Sequence, residues 1–270
     1  MILLLAAHAF AQVAPECRDI AALPPPIWYT DDQAQNDYLL NYFSLATTFS
    51  PLHGPVPLDP GQASISLEMS YIPALDCDRR LVLNRTKTED TNKAPIVPRP
   101  RVSVTFPKIG PVVAYASLGY VPPVEVFNTR NVIVSGEVGG GIPLKNGLEF
   151  GARYHFTMLK TVAEIATPFV EGDPAVDDLY VGSTFGPDVM VGYRVKDLVT
   201  PYISAGFTDV STFFYIGDDG VVGNNKSPYA GFVGSVGAQV RWKHVDAAAE
   251  FYTAPGYIYT GRARVGWIFK

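Results

Sequence analysis

The sequence predicts an all-β protein: a transmembrane, antiparallel, up-and-down β-barrel of about ten strands (roughly eight to twelve), preceded by a non-barrel N-terminal segment. Three observations support this prediction: segments of alternating polarity, connections that alternate between short and long, and aromatic residues at both ends of the apolar faces. Charged residues make up 17% of the chain and hydrophobic residues 47%, whereas soluble domains usually carry about 25% charged residues. No apolar run reaches the roughly 18 residues of a membrane helix.

Residues 61–270 divide into about ten alternating segments, which we predict to be the barrel strands. Short turns are expected at 107–110, 143–146, 196–198 and 243–244, and long links at 73–99, 122–130, 159–179 and 215–227. Short turns on one rim and longer loops on the other are typical of outer-membrane barrels. The predicted strands are 61–72, 100–106, 111–121, 131–142, 147–158, 180–194, 199–214, 228–242, 245–253 and 257–269.

The apolar faces of nine predicted strands end in aromatic residues. Rings at both ends of an apolar band are expected at the headgroup level of a membrane, because an aromatic side chain has an apolar body and a polarisable edge. The sequence therefore predicts two membrane-interface girdles. The loop-side girdle contains Tyr71, Tyr120, Phe156, Phe207 and Phe251, and the turn-side girdle contains Phe106, Tyr193, Trp242, Trp267 and Phe269.

The opposite faces carry the charged residues, which predicts a lumen lined by six acids and six arginines. Buried charges are tolerated when they are paired, and a narrow barrel allows pairing across the lumen. A selective pore is the alternative use of such charges. The inward residues are Glu68, Arg101, Glu137, Glu149, Arg153, Asp188, Arg194, Arg241, Asp246, Glu250, Arg262 and Arg264, together with His155.

The chain begins with an apolar stretch and a small-x-small site, Ala9 to Ala11, which predicts a signal peptide over residues 1–11 and export. Residues 12–60 are Pro-rich, with a short helix expected near Asn36 to Leu45. Two interpretations stay open for this segment: a periplasmic lead-in packed under the barrel, or a plug inside the lumen. Cys17 and Cys77 would face an oxidising compartment, and a plug would let them form a disulfide.

The export signal, the ten alternating segments and the aromatic last strand ending Trp267-Ile268-Phe269 resemble bacterial outer-membrane β-barrel proteins of the porin-like superfamily. The N-terminal plug-like segment gives a looser similarity to the fatty-acid-channel family. The resemblance implies a Gram-negative outer membrane containing lipopolysaccharide, both termini in the periplasm, and recognition of the last strand by the barrel-insertion machinery.

These patterns predict a narrow pore or transporter for passive passage of small solutes, polar ones through the lumen or apolar ones past the plug. The alternative is a closed structural barrel whose loops bind partners. An outer-membrane hydrolase is least favoured, because His155 has only Asp209 and Ser211 at a similar height and no catalytic motif. We therefore predict no enzymatic activity, no cofactor and no metal, and the net charge of −5 without a basic patch predicts no nucleic-acid partner.

Overall fold

The computed structural model describes residues 13–126, 128–166, 174, 176–217 and 221–269, so the predicted signal peptide at 1–11 lies outside the described residues. Ten antiparallel strands form a ring in which each strand pairs with two neighbours, and the ring closes where the first barrel strand pairs with the last. The barrel strands are β1 (Ala63–Tyr71), β4 (Ile96–Thr105), β5 (Val113–Val126), β6 (Thr129–Pro143), β7 (Leu148–Ala163), β8 (Asp178–Tyr193), β9 (Val199–Ile216), β11 (Ala230–Trp242), β12 (Val245–Ala254) and β13 (Ile258–Phe269). The predicted fold class is confirmed.

Among the described residues, three short strands lie outside this ring. The hairpin β2 (Leu81–Val82) and β3 (Lys87–Thr88) belongs to the long loop between β1 and β4, and β10 (Val221–Gly223) extends the loop-side end of β9. Several barrel strands are longer than predicted: β7 runs to residue 163 instead of 158, and β4 begins at 96 instead of 100. Beyond the girdles, polar and apolar residues alternate less regularly along the strands, because those strand ends lie outside the apolar band of the outer face.

The side chains alternate between the two faces of the barrel as a strand dictates. In β1, Ser64, Ser66 and Glu68 are buried in the interior, whereas Ile65 and Leu67 are exposed on the outside. The outward face is apolar around the barrel, which is the architecture of outer-membrane β-barrels, so the resemblance drawn from the sequence is confirmed at that level.

The N-terminal segment forms a short 3₁₀ turn at Pro15–Cys17 and two helices, α1 (Arg18–Ala21) and α2 (Asp32–Ala46). Helix α2 begins earlier than predicted because Asp31 caps it: its carboxylate accepts a 2.7 Å hydrogen bond from the backbone N–H of Ala34. A third helix, α3 (Cys77–Arg80), lies in the first long loop. Among the described residues, no helix combines the length and the apolar character needed to cross a membrane.

After α2 the chain enters the barrel, and residues 47–58, which we name the lumen segment, run through its interior. The segment begins beneath the long loops, where the Tyr42 hydroxyl donates to the Pro73 carbonyl, and leaves at the short turns, where Asp59 meets Arg194 and Arg241. Residues 47–58 are thus inside the lumen, whereas the start of the described chain lies at the loop end, where Val13 and Cys17 pack with Leu81 of the first long loop.

The described chain begins and ends at opposite ends of the barrel. Val13 packs with Leu81 of the first long loop, whereas Phe269 pairs with Ala63 beside the short turns. The expectation that both termini lie on one side is therefore wrong for the described chain, because a segment that threads the lumen must enter from the far rim. A disulfide between Cys17 and Cys77 joins the N-terminal region to that first long loop.

Candidate functional site

The turn-side half of the lumen holds the lumen segment through its backbone carbonyls. Four arginines from three strands donate to carbonyl oxygens of consecutive residues: Arg99 to Thr47 at 3.0 Å, Arg153 to Phe49 at 2.9 Å and Arg101 to Ser50 at 3.2 Å. Arg262 donates to the carbonyls of Thr48 and Ala46. Charge-assisted hydrogen bonds of this kind are the stronger ones, and here they satisfy backbone groups that are away from water.

Glu137 is the centre of a buried charge network. Its carboxylate accepts hydrogen bonds from Arg101 and from Arg153, the latter at 2.6 Å, and its Oε1 atom lies 2.9 Å from His53 Nε2 of the lumen segment. Arg153 also contacts Asp188 at 2.5 Å, and Arg101 and Arg99 both contact Glu68. These groups are almost fully buried. The paired arrangement is the one that a desolvated interior requires.

On the opposite wall, one acid pairs with an arginine and the other accepts hydrogen bonds from uncharged groups. Arg264 contacts Asp246 at 2.5 Å, and the same carboxylate accepts a 2.8 Å hydrogen bond from the Gln239 amide. Glu250 has no arginine partner in the described ranges. It accepts instead from the Tyr202 hydroxyl at 2.9 Å and from the backbone N–H of Leu52 at 3.1 Å.

At the short-turn rim, Arg194 pairs with Glu149 at 2.7 Å, and both Arg194 and Arg241 approach Asp59 of the N-terminal segment at 3.5 Å. The expectation that the six inward arginines pair with the six inward acids is therefore corrected for two of them. Arg241 meets Asp59, and Arg262 meets carbonyls and the Tyr252 ring at 4.2 Å. The reason is the N-terminal segment, which supplies acceptors on Ala46, Thr48 and Asp59 that the barrel strands do not contain.

The lumen segment fits closely against glycines of three strands. A Cβ atom at Gly141 or Gly192 would lie 2.3 Å or 2.6 Å from Pro55, and one at Gly151 would lie 3.0 Å from it. Only glycine permits this approach of the two backbones. Leu52 and His53 are fully buried. Because the segment fills the space between the walls, the turn-side half of the lumen is closed.

His155 faces the lumen, as predicted, and is fully buried. Its Nε2 atom lies 3.7 Å from Asp188 and 3.5 Å from the Thr208 hydroxyl. Asp209 and Ser211, which the sequence placed near His155, lie on the outward face instead, because the even-numbered residues of β9 point inward. The catalytic arrangement considered from the sequence does not form. No cluster of three metal-ligating side chains occurs in the part of the chain that the structure describes.

All ten predicted girdle residues lie on the outward face, each at least 39% exposed. Within the predicted strands, and among the described residues, Asp209 is the charged residue on this face that the prediction overlooked; it lies one outward position past Phe207 toward the loops. Arg130 and Lys160 are also on the outward face, where β6 and β7 extend beyond their predicted bounds. Of the thirteen residues predicted to face the lumen, eleven are buried, and Arg194 and Arg241 are partly buried. The buried ones are Glu68, Arg101, Glu137, Glu149, Arg153, His155, Asp188, Asp246, Glu250, Arg262 and Arg264.

Sequence reasoning missed two members of the network, Arg99 and His53. Arg99 lay just outside the predicted strand, although it shares its parity with Arg101, so continuing the alternation backward would have found it. His53 lies in the Pro-rich segment, where no periodicity exists. No local signal could have shown that it meets Glu137, which is 84 residues away.

The loop-side half of the interior is apolar and is covered by helix α2. One side of α2 packs Leu40 and Phe43 near Tyr180 and Leu159, and the Tyr180 hydroxyl donates to the Leu40 carbonyl at 2.6 Å. Its other side packs Leu39, Tyr42 and Leu45 against Val210 and Val233. At the rim, Tyr38 stacks on Tyr257 at 5.4 Å. Burial raises the pKa of the Tyr38 hydroxyl, although nearby Arg79 opposes this shift.

Between α2 and the barrel wall lies a cavity of about 70 Å³, which we name the inner cavity. Most of its lining is apolar and comes from the helix, the first long loop and strands β4, β6, β7 and β8. Its apolar lining residues include Phe43, Ala46, Ile72, Val97, Ile133, Leu159 and Ile165.

The barrel wall beside the inner cavity is incompletely paired. Strands β4 and β5 pair only from Arg101↔Gly119 to Thr105↔Tyr115, and pairing stops toward the loops. Pro98 and Pro100 in β4 and Pro122 in β5 have no backbone N–H to donate. The remaining opening, which we name the β4–β5 gap, adjoins an outer-face cavity of about 240 Å³.

The inner cavity adjoins a cavity on each side. It shares Ala94, Val97, Thr129 and Asn131 with the outer-face cavity at the β4–β5 gap. On the loop side, it shares Phe43, Thr91 and Ile165 with a cavity of about 230 Å³ beneath the long loops. The three cavities follow one another from the loop rim, under α2, to the outer face of the wall.

No model of a protein family matches the sequence, and neither does any curated protein. Solved structures with a similar chain path include the translocator domain of the autotransporter NalP from Neisseria meningitidis (10% identity, TM-score 0.44, 79% of this chain and 89% of that chain). Others are an outer membrane channel from Pseudomonas putida F1 (12%, 0.40, 82% and 100%) and the Pseudomonas putida toluene transporter TodX (11%, 0.38, 84% and 75%). At these values, the similarity identifies neither a family nor a function for this chain.

Proposed function

We propose that this protein spans a bacterial outer membrane and conducts small apolar molecules from the loop side into the membrane. The molecules enter beneath the long loops, pass under helix α2 and leave sideways through the β4–β5 gap. The observation that carries this proposal is the succession of three apolar cavities that ends at an unpaired, proline-lined seam facing outward.

The outward surface supports membrane placement. Large apolar side chains such as Leu118, Val138 and Ile203 are each more than half exposed around the barrel. A soluble monomer does not present so continuous an apolar surface to water. In the described part of the chain, every strand of the ring has a partner on both sides, which suits a hydrocarbon environment. The β4–β5 gap interrupts the pairing at one seam.

The lumen favours an apolar route over a polar one. A polar solute moving along the barrel axis would have to displace the lumen segment and break the hydrogen bonds from Arg99, Arg101 and Arg153 to its carbonyls. The lateral route leaves the hydrogen bonds to Phe49 and Ser50 intact, because Thr47 is the residue of the lumen segment that lines the inner cavity.

The inner cavity is the constriction of the proposed route. Its volume of about 70 Å³ is smaller than the roughly 150 Å³ that accommodates benzene in an engineered apolar cavity. Passage therefore requires helix α2 to move away from the wall. Apolar contacts such as Phe43 against Tyr180 allow small displacements at lower cost than the ion pairs below them.

The proposal can be tested by the rate at which N-phenyl-1-naphthylamine, an apolar probe that fluoresces in bilayers, enters intact Gram-negative cells. Cells that express the protein should take up the probe faster than cells without it. Val97→Trp, which fills the junction between the inner cavity and the gap, should reduce the rate to the level without the protein.

The matched control is Val102→Trp on the same strand, because Val102 points outward and lines none of the three cavities. This variant should retain the uptake rate. Equal rates in the two variants would contradict the lateral route. Discrete conductance steps of the refolded protein in planar bilayers would contradict the closed polar lumen.

The second candidate is a closed barrel that binds a partner at its loop end. The exposed apolar residues Leu23, Ile27 and Trp28 on the N-terminal segment favour this function. Unchanged probe uptake in cells with and without the protein would leave it as the better explanation.

A further inference from the structure

The two ends of the barrel carry lysines in different circumstances. At the loop end, Lys87 lies 3.4 Å from Glu89, and Lys93 lies 3.4 Å from Asp90 and 3.6 Å from Glu164. Lys160 and Lys226, also at that end, are exposed and form no ion pair within the described ranges. At the opposite end, each of the four short turns contains one exposed lysine, and within the described ranges none of these forms an ion pair. We name this set the lysine collar: Lys108, Lys145, Lys196 and Lys243.

The collar surrounds the barrel. The four turns connect β4 to β5, β6 to β7, β8 to β9, and β11 to β12, so a lysine follows every second strand. The remaining short-turn position is occupied by the two ends of the barrel, where Ala63 pairs with Phe269. The collar lysines are therefore distributed around the circumference of the barrel rather than along one side.

The collar also lies just beyond the turn-side aromatic girdle. Lys108 follows Phe106 by two residues, and the Nζ atom of Lys243 lies 5.0 Å from the Trp242 ring centroid. Aromatic side chains mark the headgroup level of a bilayer. A lysine one or two residues further out is at the depth of the lipid phosphates, which its flexible stem can reach.

Turn geometry does not account for two of these lysines. Lys196 and Lys243 have φ values of +50° and +55°, in the left-handed region that favours glycine or asparagine. A lysine at such a position adds backbone strain, and at Lys243 the contact with the Trp242 ring accompanies that strain. Asp197 is the one acid in the four turns, next to Lys196 in the chain.

We propose that the lysine collar binds the anionic headgroups of the membrane leaflet around the short turns, and so anchors the barrel at a set depth in that leaflet. This inference rests on the membrane placement proposed above. Unpaired lysines at the phosphate level attract anionic lipids by about 1 kcal/mol each, which corresponds to about a fivefold preference over a zwitterionic lipid.

The three tryptophans of the chain make the proposal measurable. In the Trp28→Phe variant, the fluorophores are Trp242 and Trp267, which both lie in the turn-side girdle. The protein is reconstituted in mixed phosphatidylcholine and phosphatidylglycerol vesicles, with bromine, a quencher, on the acyl chains of one lipid at a time. The ratio of the two quenching curves gives the relative association of the anionic lipid.

We expect about a fivefold preference for the brominated phosphatidylglycerol, falling toward one in high salt because screening weakens exposed charges. Substituting all four collar lysines by glutamine in the same background should bring the ratio close to one at low salt. The control variant, Lys160→Gln with Lys226→Gln, removes two exposed loop-end lysines and should retain the preference. Heat-modifiable gel migration verifies that each variant is folded.

The proposal that the collar binds anionic lipid would be overturned by equal quenching by the two lipids in the Trp28→Phe protein. An unchanged preference in the fourfold variant would overturn it as well. Absence of quenching by either lipid would instead overturn the membrane placement. The two failures are therefore distinguishable.

Discussion

The two halves of the barrel interior hold the same N-terminal region by different forces. In the turn-side half, arginines bind the lumen segment through its carbonyls, and Glu137 gathers Arg101, Arg153 and His53. In the loop-side half, helix α2 rests on apolar side chains beside an inner cavity. Ion pairs in a dry interior break at high cost, whereas apolar contacts can slip. We therefore expect the loop-side half to open while the turn-side half stays closed.

The largest effect should come from Glu137→Ala in the turn-side half. The substitution leaves Arg101, Arg153 and His53 without their shared carboxylate in a buried site. We expect the free energy of unfolding to fall by about 3–5 kcal/mol, measured by urea titration of the protein refolded in lipid vesicles. The control is Glu125→Gln, an exposed carboxylate near the loops, which should change stability by less than about 0.5 kcal/mol.

If Glu137→Ala were no more destabilising than its control, the charge network would not be what stabilises the turn-side half. The close fit of the lumen segment against the barrel wall would then be what holds the turn-side half.

A smaller effect, confined to the loop-side half, should follow removal of the disulfide by Cys17→Ser with Cys77→Ser. The bond ties the N-terminal region to the first long loop across 60 residues. Its loss should lower the free energy of opening helix α2 by about 2–4 kcal/mol. Hydrogen exchange followed by mass spectrometry should show faster exchange in residues 32–46 and unchanged protection in residues 47–58.

The oxidised parent protein is the reference for this comparison, and the reduced parent should behave as the double variant does. Equal acceleration of exchange in both segments would show that the N-terminal region leaves the barrel as one unit. The two halves would then not open separately.

The smallest effect should come from Arg79→Gln at the loop rim. The guanidinium carbon of Arg79 lies 3.7 Å from the Trp28 ring centroid and 3.9 Å from that of Tyr38, so it joins α3 to the start of α2. Losing these cation–π contacts should cost about 1 kcal/mol of local stability, seen as faster exchange near residues 32–38. Arg130→Gln, at an exposed arginine without an ion pair in the described ranges, should leave that exchange unchanged.

Acceleration by Arg79→Gln that spread through residues 47–58 would contradict the separation of the two halves. Acceleration restricted to the first turns of α2 would place the start of opening at the rim.

The sequence by itself determined the barrel and its two faces. Alternation is a local property with a period of two residues, so the outward position of Trp267 and the inward position of Arg264 follow from their parity alone. The alternation of short and long connections determined which rim carries the turns. Arg99 was missed only because its strand begins four residues earlier than predicted. Asp209 was assigned to the inward face of β9, although the odd-numbered residues of this strand point outward.

Only the tertiary structure decided what fills the barrel. The Pro-rich segment has no periodicity, so nothing local indicates that Pro55 fits against Gly141 or that His53 meets Glu137. Which arginine pairs with which acid depends on the stagger of distant strands around the ring, and the lumen segment competes for the same donors. The β4–β5 gap arises because prolines on two separate strands come to face each other, and that meeting exists only once the barrel has closed.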